Sequence, residues 1–216
     1  MKKLLVSLLM ASALLVPALA SASIDEGIEY QKIEPPQPTV VPDNKIEVVE
    51  MFWYGCPHCF HFEPYLRDWL AHKPKDVQFI RVPAVFNNPA WELDAKAFYT
   101  AEELGVLDKI HEPLFNAIHV EGKPLSTSDA IKAFFVAHGV KPKDFDDTFN
   151  SFAVYTKVRR AKDLSERYRI SGVPSLIVDG KYRTDGPMAN GNEGMLRVLN
   201  FLIAKEAAAR GLKSAK

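Results

Sequence analysis

Two cysteines, Cys56 and Cys59, lie three positions apart in the stretch FWYGCPHCF, which spans residues 52–60 and holds every cysteine of the chain. Such a pair can form a structural disulfide, contribute to a metal site or act as a redox centre. A disulfide at this spacing closes a very short loop, worth roughly 2 kcal/mol in chain entropy against about 4.7 kcal/mol for a 100-residue loop. Because the loop would add little stability and zinc sites usually need more thiols or histidines, the spacing favours thiol–disulfide chemistry.

The residues around the pair predict that Cys56 lies between a strand and a helix. Residues 46–53 are rich in β-branched and aromatic side chains, which is typical of a strand. Pro57 suits the first turn of a helix, where its missing N–H costs nothing. Apolar residues then recur at helical spacing, at Phe62, Leu66, Trp69 and Leu70. Cys56 is therefore expected at a helix N-terminus just beyond a central strand.

This placement predicts different roles for the two sulfurs. The unpaired N–H groups and the dipole at a helix N-terminus stabilise a thiolate, and His58 can add positive charge beside Cys56. Cys59 lies one helical turn deeper and should be shielded. We expect Cys56 to exchange disulfides with partners and Cys59 to close or resolve the bond. Stabilising the thiolate favours the reduced form, so the disulfide should be a strong oxidant.

Two carboxylates could lie beneath the cysteine pair. Glu50 shares one face of the predicted strand with apolar residues, and Glu63 continues the helical stripe of Cys56 and Cys59. A buried carboxylate tends to hold or shuttle a proton because its charged form is costly. The alternatives are that Glu50 faces water or pairs with a lysine at a sheet edge, and that Glu63 lies on a solvated helix face.

Residues 1–22 have the order of a secretory signal peptide: a positive start, an apolar run and small residues before a cleavage site after Ala22. The apolar run is too short to span a membrane comfortably. Export implies a compartment where disulfides persist, which we take to be the periplasm. The numbers of basic and acidic residues are nearly equal, so the charge does not indicate nucleic-acid binding. The sequence contains neither a phosphate-binding loop nor a nucleotide-binding motif, so no cofactor is predicted.

The rest of the chain predicts a mixed sheet flanked by helices. An edge strand is expected near residues 30–33 and a further strand at 77–85, with helices from Trp91 onward that break near Pro113 and Asn150. A hairpin is predicted around Asp179-Gly180, followed by a last helix capped by Asn192. The scattered histidines are expected at the surface or in helix packing (His72, His111, His119 and His138), and His61 could ligate a metal with the cysteines.

With these residues in place, the sequence resembles the DsbA family of exported thiol–disulfide oxidoreductases. Cys56-Pro57-His58-Cys59 is the usual tetrapeptide of that family, and the resemblance extends over nearly the whole mature chain. It implies an α/β thioredoxin-like fold with an inserted all-helical domain. The implied parts are residues 23–88 and 164–216 for the thioredoxin-like domain and 89–163 for the helical insertion. Phe60 stands where many relatives have tyrosine.

The resemblance also implies roles for individual residues. It implies a cis peptide at Val173-Pro174 packed against the cysteine pair, and it places Glu50 and Glu63 near the buried cysteine as a proton relay. The implied partners are unfolded exported proteins as substrates and a membrane quinone-linked reoxidant of the DsbB type, with the protein acting as a monomer. The family is known for a nucleophilic cysteine with a low pKa and for an oxidising disulfide. The resemblance therefore implies a lowered pKa for Cys56 and a high reduction potential for the Cys56–Cys59 disulfide.

Two other functions are open to the same residues. A disulfide isomerase or reductase would be kept reduced, but isomerases of the DsbC type carry an additional N-terminal dimerisation domain. Few residues separate the predicted cleavage site from the first confident strand here. A metal carrier would use Cys56 and Cys59 as ligands, although such carriers need more open ligand sets than a proline-restricted turn.

Overall fold

A computed structural model describes residues 23–212, so the predicted signal peptide lies outside the described residues. Five strands form one sheet in the order β1-β5-β4-β2-β3. The strands are β1 (Gln31–Lys32), β2 (Ile46–Phe52), β3 (Val77–Pro83), β4 (Ser175–Val178) and β5 (Tyr182–Asp185). β2 and β3 are parallel, and the other neighbours are antiparallel. The predicted mixed sheet is confirmed.

Eight helices surround this sheet in the described part of the chain. They are α1 (Pro57–His72), α2 (Pro89–Glu103), α3 (Leu107–His119), α4 (Ser128–Ala137), α5 (Pro142–Phe149), α6 (Phe152–Arg167), α7 (Gly186–Ala189) and α8 (Asn192–Ala209). Helices α2 to α6 all lie between β3 and β4 in the chain, as the predicted helical block requires. Within residues 23–212, none of the helices has the length and apolar character needed to cross a membrane.

The central strand β2 is buried along its whole length because helices cover both faces of the sheet. On one face, Ile46 and Val48 share a core with apolar residues of α1 and α8. On the other face, Val49 and Met51 join a second core, which continues into the helical block. This burial fixes the end of β2, and so fixes the start of α1, where the cysteines lie.

The structure corrects three details of the predicted elements. Helix α3 is not interrupted at Pro113, because the missing N–H removes only one bond, to the Lys109 carbonyl, while buried Leu114 and Phe115 hold the helix on the core. Asn192 does not cap α8: the N-cap is Gly191, and the Asn192 side chain donates to the His61 carbonyl instead. The short helix α7 was not predicted, and the Asp185 side chain caps it.

Candidate active site

Cys56 is the N-cap residue of α1, with φ −90° and ψ 115°, and Pro57 occupies the first turn as expected. Both cysteines are free thiols. Cys56 is 7 % exposed and Cys59 is fully buried, while Pro57 and His58 between them are exposed. The strand-to-helix turn therefore brings the Cys56 sulfur to the surface and keeps the Cys59 sulfur underneath it.

Hydrogen bonds lower the pKa of Cys56 to about 5. The thiol of Cys59 is the strongest contributor, and the backbone N–H groups of Cys59 and His58 and the His58 side chain add to it, against the opposing effect of burial. The two backbone N–H groups among these donors are unpaired groups of the helix N-terminus. Cys56 is therefore a thiolate at neutral pH, the form that attacks and leaves in disulfide exchange.

The second sulfur has the opposite character. Burial raises the pKa of Cys59 well above its ordinary value, and the hydrogen bond to Cys56 and the Cys56 charge raise it further. Cys59 is therefore a neutral thiol that donates to the Cys56 thiolate. A thiolate formed at Cys59 would take up a proton readily.

The loop before β4 faces the exposed side of Cys56. The Cys56 Sγ lies 3.4 Å from the Val173 carbonyl oxygen, and the Val173–Pro174 peptide is cis, as the family resemblance implied. The Ser175 hydroxyl donates to the Gly172 carbonyl at 2.8 Å and fixes the loop. Val173 is half-buried and Pro174 is buried, so this loop forms a wall beside the reactive sulfur.

A cavity of about 440 Å³ opens next to this wall. It is lined by His58, by residues 171–174 and by the residues around α7 and the start of α8. A larger cavity of about 580 Å³ lies between α2, α5 and α6, with mostly charged and polar side chains, and it does not border the cysteines. We assign the first cavity to the site because it is lined by His58 and by Val173, whose carbonyl contacts the Cys56 sulfur, whereas the larger cavity is lined by neither.

Beneath the cysteines, the two carboxylates share one guanidinium. Glu50 is fully buried, and its Oε2 lies 3.2 Å from the Nε of Arg81, its register partner on β3. The Arg81 Nη2 donates to the Glu63 Oε2 at 3.1 Å. Neither oxygen of Glu50 has a hydrogen-bond partner among residues 23–212. The structure thus places Glu50 and Glu63 together, and neither carboxylate is solvated as the alternatives supposed.

The two carboxylates are held in different protonation states. Burial raises the pKa of Glu50 to about 8, and the Glu63 charge adds to this while Arg81 opposes it. Burial also raises the pKa of Glu63, but the hydrogen bond from His111 and the Arg81 charge outweigh it and leave that pKa below its usual value. At neutral pH Glu50 carries a proton and Glu63 does not. Such separation of two neighbouring carboxyls is typical of functional sites.

The structure adds two residues that the sequence did not single out. Arg81 links the carboxylates, and His111 of α3 contacts the Glu63 Oε1 through its Nε2 at 3.3 Å. The other ring nitrogen of His111 lies 2.8 Å from the Tyr54 hydroxyl. His111 lies on an apolar helical stripe with Leu107 and Phe115. A polar residue on such a stripe is the one feature of the sequence that could have identified His111 as part of the site.

The segment before Cys56 packs tightly against α2. The indole rings of Trp53 and Trp91 stack with centroids 4.3 Å apart. A Cβ at Gly55 would lie 2.3 Å from the Trp53 ring, so only glycine fits this approach. Asp94 is also buried here, and burial raises its pKa to about 7. Packing against α2 therefore fixes the turn that carries Cys56.

The structure does not bring His61 into a metal site. His61 is exposed on α1, and its carbonyl accepts from Asn192. Within residues 23–212, no three or more histidine, cysteine, aspartate or glutamate side chains are grouped so that they could hold a metal ion.

Comparison with known proteins agrees with this geometry. The profile of the DSBA-like thioredoxin domain family matches residues 47–202. The thiol:disulfide interchange protein DsbA of Pseudomonas syringae pv. tomato is 42% identical over 211 residues, which cover 97% of this chain and 98% of that protein. The protein of the same name from Pseudomonas aeruginosa is 41% identical, with 97% and 99% coverage.

Solved structures show the same fold. The crystal structure of Pseudomonas aeruginosa DsbA has a TM-score of 0.81 at 42% identity and covers 86% of this chain and 96% of that one. The oxidoreductase DsbA from Xylella fastidiosa has a TM-score of 0.77 at 36% identity and covers 83% of this chain and 96% of that one. The predicted thioredoxin-like fold is confirmed. The chain belongs to the family of DsbA-like thioredoxin-domain proteins and is a thiol:disulfide oxidoreductase.

Proposed function

We propose that this protein is a periplasmic dithiol oxidase that donates the Cys56–Cys59 disulfide to newly exported, unfolded proteins. The observation that supports this most is the contrast between the two thiols. The pKa of Cys56 is lowered to about 5 and that of Cys59 is raised well above its ordinary value. A stabilised Cys56 thiolate favours the reduced pair, so the oxidised pair readily passes its disulfide to other thiols.

The reaction takes place in two exchanges. A substrate thiolate attacks the Cys56 Sγ, the Cys56–Cys59 bond breaks, and Cys59 leaves as a thiolate that takes up a proton. A second substrate thiolate then attacks the substrate sulfur of this mixed disulfide, and Cys56 leaves as the stabilised thiolate. Two substrate thiols become one disulfide, and two electrons pass to the cysteine pair. In reoxidation, Cys59 loses its proton and resolves the mixed disulfide formed with the oxidising partner.

We assign the proton needed at Cys59 to Glu50. Glu50 is buried near Cys59, and burial raises the pKa of its carboxyl to about 8. It therefore carries a proton at neutral pH and can give it to the leaving Cys59 thiolate. Glu63 stays charged and anchors Arg81, so the pair forms the relay that the resemblance implies.

The wall and cavity beside Cys56 suit an unfolded chain. The Val173 carbonyl faces Cys56 at 3.4 Å, and Pro174 supplies no N–H that would compete for the thiolate. A substrate segment could pair with the backbone of this loop as an added strand while its side chains enter the 440 Å³ cavity. In this proposal His58, Val173 and Pro174 tune the redox centre and orient the substrate, and Pro57 starts the helix.

Residues 1–22 are proposed to direct export and to be removed before the protein folds. We also retain the division into a thioredoxin-like domain at 23–88 and 164–216 and a helical insertion at 89–163. The reduced protein requires an oxidising partner, for which we propose a membrane quinone-linked protein of the DsbB type. The working form is proposed to be a monomer that needs neither nucleic acid, metal nor cofactor.

The oxidase function is tested with a reduced, unfolded disulfide protein as substrate. The oxidised enzyme is mixed with it in one turnover, and the formation of substrate disulfides is followed by thiol quantification. The proposal predicts stoichiometric transfer by the parent protein and its loss in both Cys56→Ser and Cys59→Ser, neither of which can hold the disulfide. Failure of the parent protein to oxidise the substrate would overturn it. Osmotic-shock fractionation and the mass of the released protein test export and cleavage after Ala22.

A further inference from the structure

The buried charge network beneath the cysteines continues beyond Glu63 into the helical block. The Tyr54 hydroxyl lies 2.8 Å from the Nδ1 of His111, and the His111 Nε2 lies 3.3 Å from the Glu63 Oε1. The opposite oxygen of Glu63 accepts from Arg81, which lies against Glu50. One contact path therefore joins α3 to the carboxyl group that serves Cys59.

The chemistry of the partners sets the direction of these hydrogen bonds. Burial raises the pKa of Tyr54 well above its ordinary value, so its hydroxyl keeps its proton and can donate. Glu63 is a carboxylate and can only accept. Burial lowers the pKa of His111, so the ring is neutral above its ordinary titration range. A neutral ring between these partners must accept at Nδ1 and donate from Nε2.

We propose that His111 is a positioning residue for the disulfide reaction, which fixes the Glu63 carboxylate against Arg81 through a directed hydrogen-bond chain that begins at Tyr54. The ring itself is fixed by aromatic packing. Phe52, Phe98 and Phe115 lie around it with centroids 5.3, 6.2 and 5.3 Å away. Among residues 23–212, the polar and charged groups that act on the ring are Tyr54 before α1, Glu63 of α1, Arg81 of β3 and Glu112 of its own helix.

The position of His111 affects Cys59 through the charges of Glu63 and Glu50. Glu63 keeps its negative charge because His111 and Arg81 stabilise it, and that charge helps to keep Glu50 protonated. Without the His111 donor, the Glu63 carboxylate would be free to turn away from Arg81 and Glu50, and its repulsion of a charged Glu50 would weaken. Glu50 would then ionise at lower pH and could no longer give a proton to Cys59. This inference rests on the proposed role of Glu50.

The test compares two amides at one position. His111→Asn keeps a polar partner for Tyr54 but is too short to reach Glu63, whereas His111→Gln can reach it. The rate of a single-turnover reaction between the oxidised protein and a cysteine-containing peptide is measured from pH 6 to 9. Dividing each rate by that of the parent at the same pH removes the titration of the peptide thiol.

For His111→Asn we expect the ratio to fall from near one at pH 6 to about one tenth at pH 9. This corresponds to a downward shift of about one pH unit in the titration of Glu50, or about 1.4 kcal/mol. His111→Gln should keep the ratio near one, as should His138→Asn at the distant end of α4. A purely structural defect would lower the ratio by the same factor at every pH, and a ratio without pH dependence in His111→Asn overturns the inference.

Glu50→Gln separates this inference from the function on which it rests. Glutamine cannot donate a proton from a carboxyl, so its ratio should be lowest at pH 6 and rise toward pH 9. If Glu50→Gln behaves so while His111→Asn follows the parent, only the role of His111 is wrong. If Glu50→Gln itself follows the parent, the proton relay and the role of His111 both fall, while the disulfide exchange at Cys56 stands.

Discussion

The Cys56 sulfur lies 3.4 Å from the carbonyl oxygen of Val173, a residue 117 positions further along the chain. This contact joins the start of α1 to the loop before β4, and therefore joins the two ends of the chain that flank the helical block. It places the reactive sulfur between a helix N-terminus, which stabilises its charge, and a wall against which a substrate can lie. The predictions below follow from that position.

Alkylation of the reduced protein across a pH series should label Cys56 first, with a midpoint near pH 5, because helix-terminal hydrogen bonds lower its pKa to about 5. Cys59 should stay unlabelled until the protein is denatured, since it is fully buried. Peptide mapping by mass spectrometry identifies the labelled residue. The two roles would be assigned wrongly if Cys59 were labelled first. They would also be wrong if the midpoint lay at the ordinary pKa of a cysteine, about 8.5.

Reduction should stabilise the fold, and the effect should depend on pH. A thiol whose pKa is lower in the folded state than in the unfolded state stabilises the fold. This stabilisation is complete at pH values above the unfolded-state pKa, and it disappears as the pH falls through the folded-state pKa. For Cys56 that window extends from its ordinary pKa down to about 5. Urea melts should show the reduced protein as the more stable form at pH 7. The gap should shrink as the pH falls from 7 toward 5 and be lost below about pH 5. A more stable oxidised form would indicate a structural disulfide.

His58→Ala should make the disulfide less oxidising. The His58 side chain is one of the groups that lower the pKa of Cys56, although the Cys59 thiol and the backbone N–H groups remain in the variant. We expect a change on the order of 30 mV, which corresponds to about 1.4 kcal/mol for two electrons. The glutathione equilibrium measures it. His61→Ala, on the exposed side of the same helix, is the control, and equal potentials for both variants would remove His58 from the redox centre.

Pro174→Thr should slow the release of substrates and accumulate mixed disulfides on Cys56. The residue lies in the wall beside Cys56, and threonine would introduce an N–H there and remove the apolar ring. Non-reducing gels of periplasmic extracts show the trapped complexes, and Cys56→Ser should abolish them. Pro187→Thr changes a proline that lines the same cavity away from the sulfur and serves as the matched control. Equal trapping in the parent and in Pro174→Thr would contradict the role of the wall.

Local sequence patterns were sufficient for the part of the site that is contiguous. The strand, the proline and the helical stripe placed Cys56 at a helix start and Cys59 below it, because each signal acts within a few residues. Glu50 was recognised as a candidate since it is the one charge on an otherwise apolar strand face. Its burial, however, depends on α1 covering that face, which no local pattern specifies.

The partners of the carboxylates could not be predicted because they come from distant segments. Arg81 lies opposite Glu50 only through the parallel register of β2 and β3, and a strand sequence alone leaves its register open. His111 reaches Glu63 from a helix 48 positions away, and it was expected to be a packing or surface residue. The interruption at Pro113 was wrong for a related reason, since packing of α3 outweighs the loss of one hydrogen bond.

The central claim is that folding stabilises the Cys56 thiolate and so makes the disulfide a strong oxidant. The most direct measurement is the equilibrium of the Cys56–Cys59 pair with reduced and oxidised glutathione, read by acid quenching and thiol alkylation. The account predicts a potential well above that of thioredoxin, about −270 mV, with the pair largely reduced at glutathione ratios that leave structural disulfides intact. A potential at or below the thioredoxin value would contradict it.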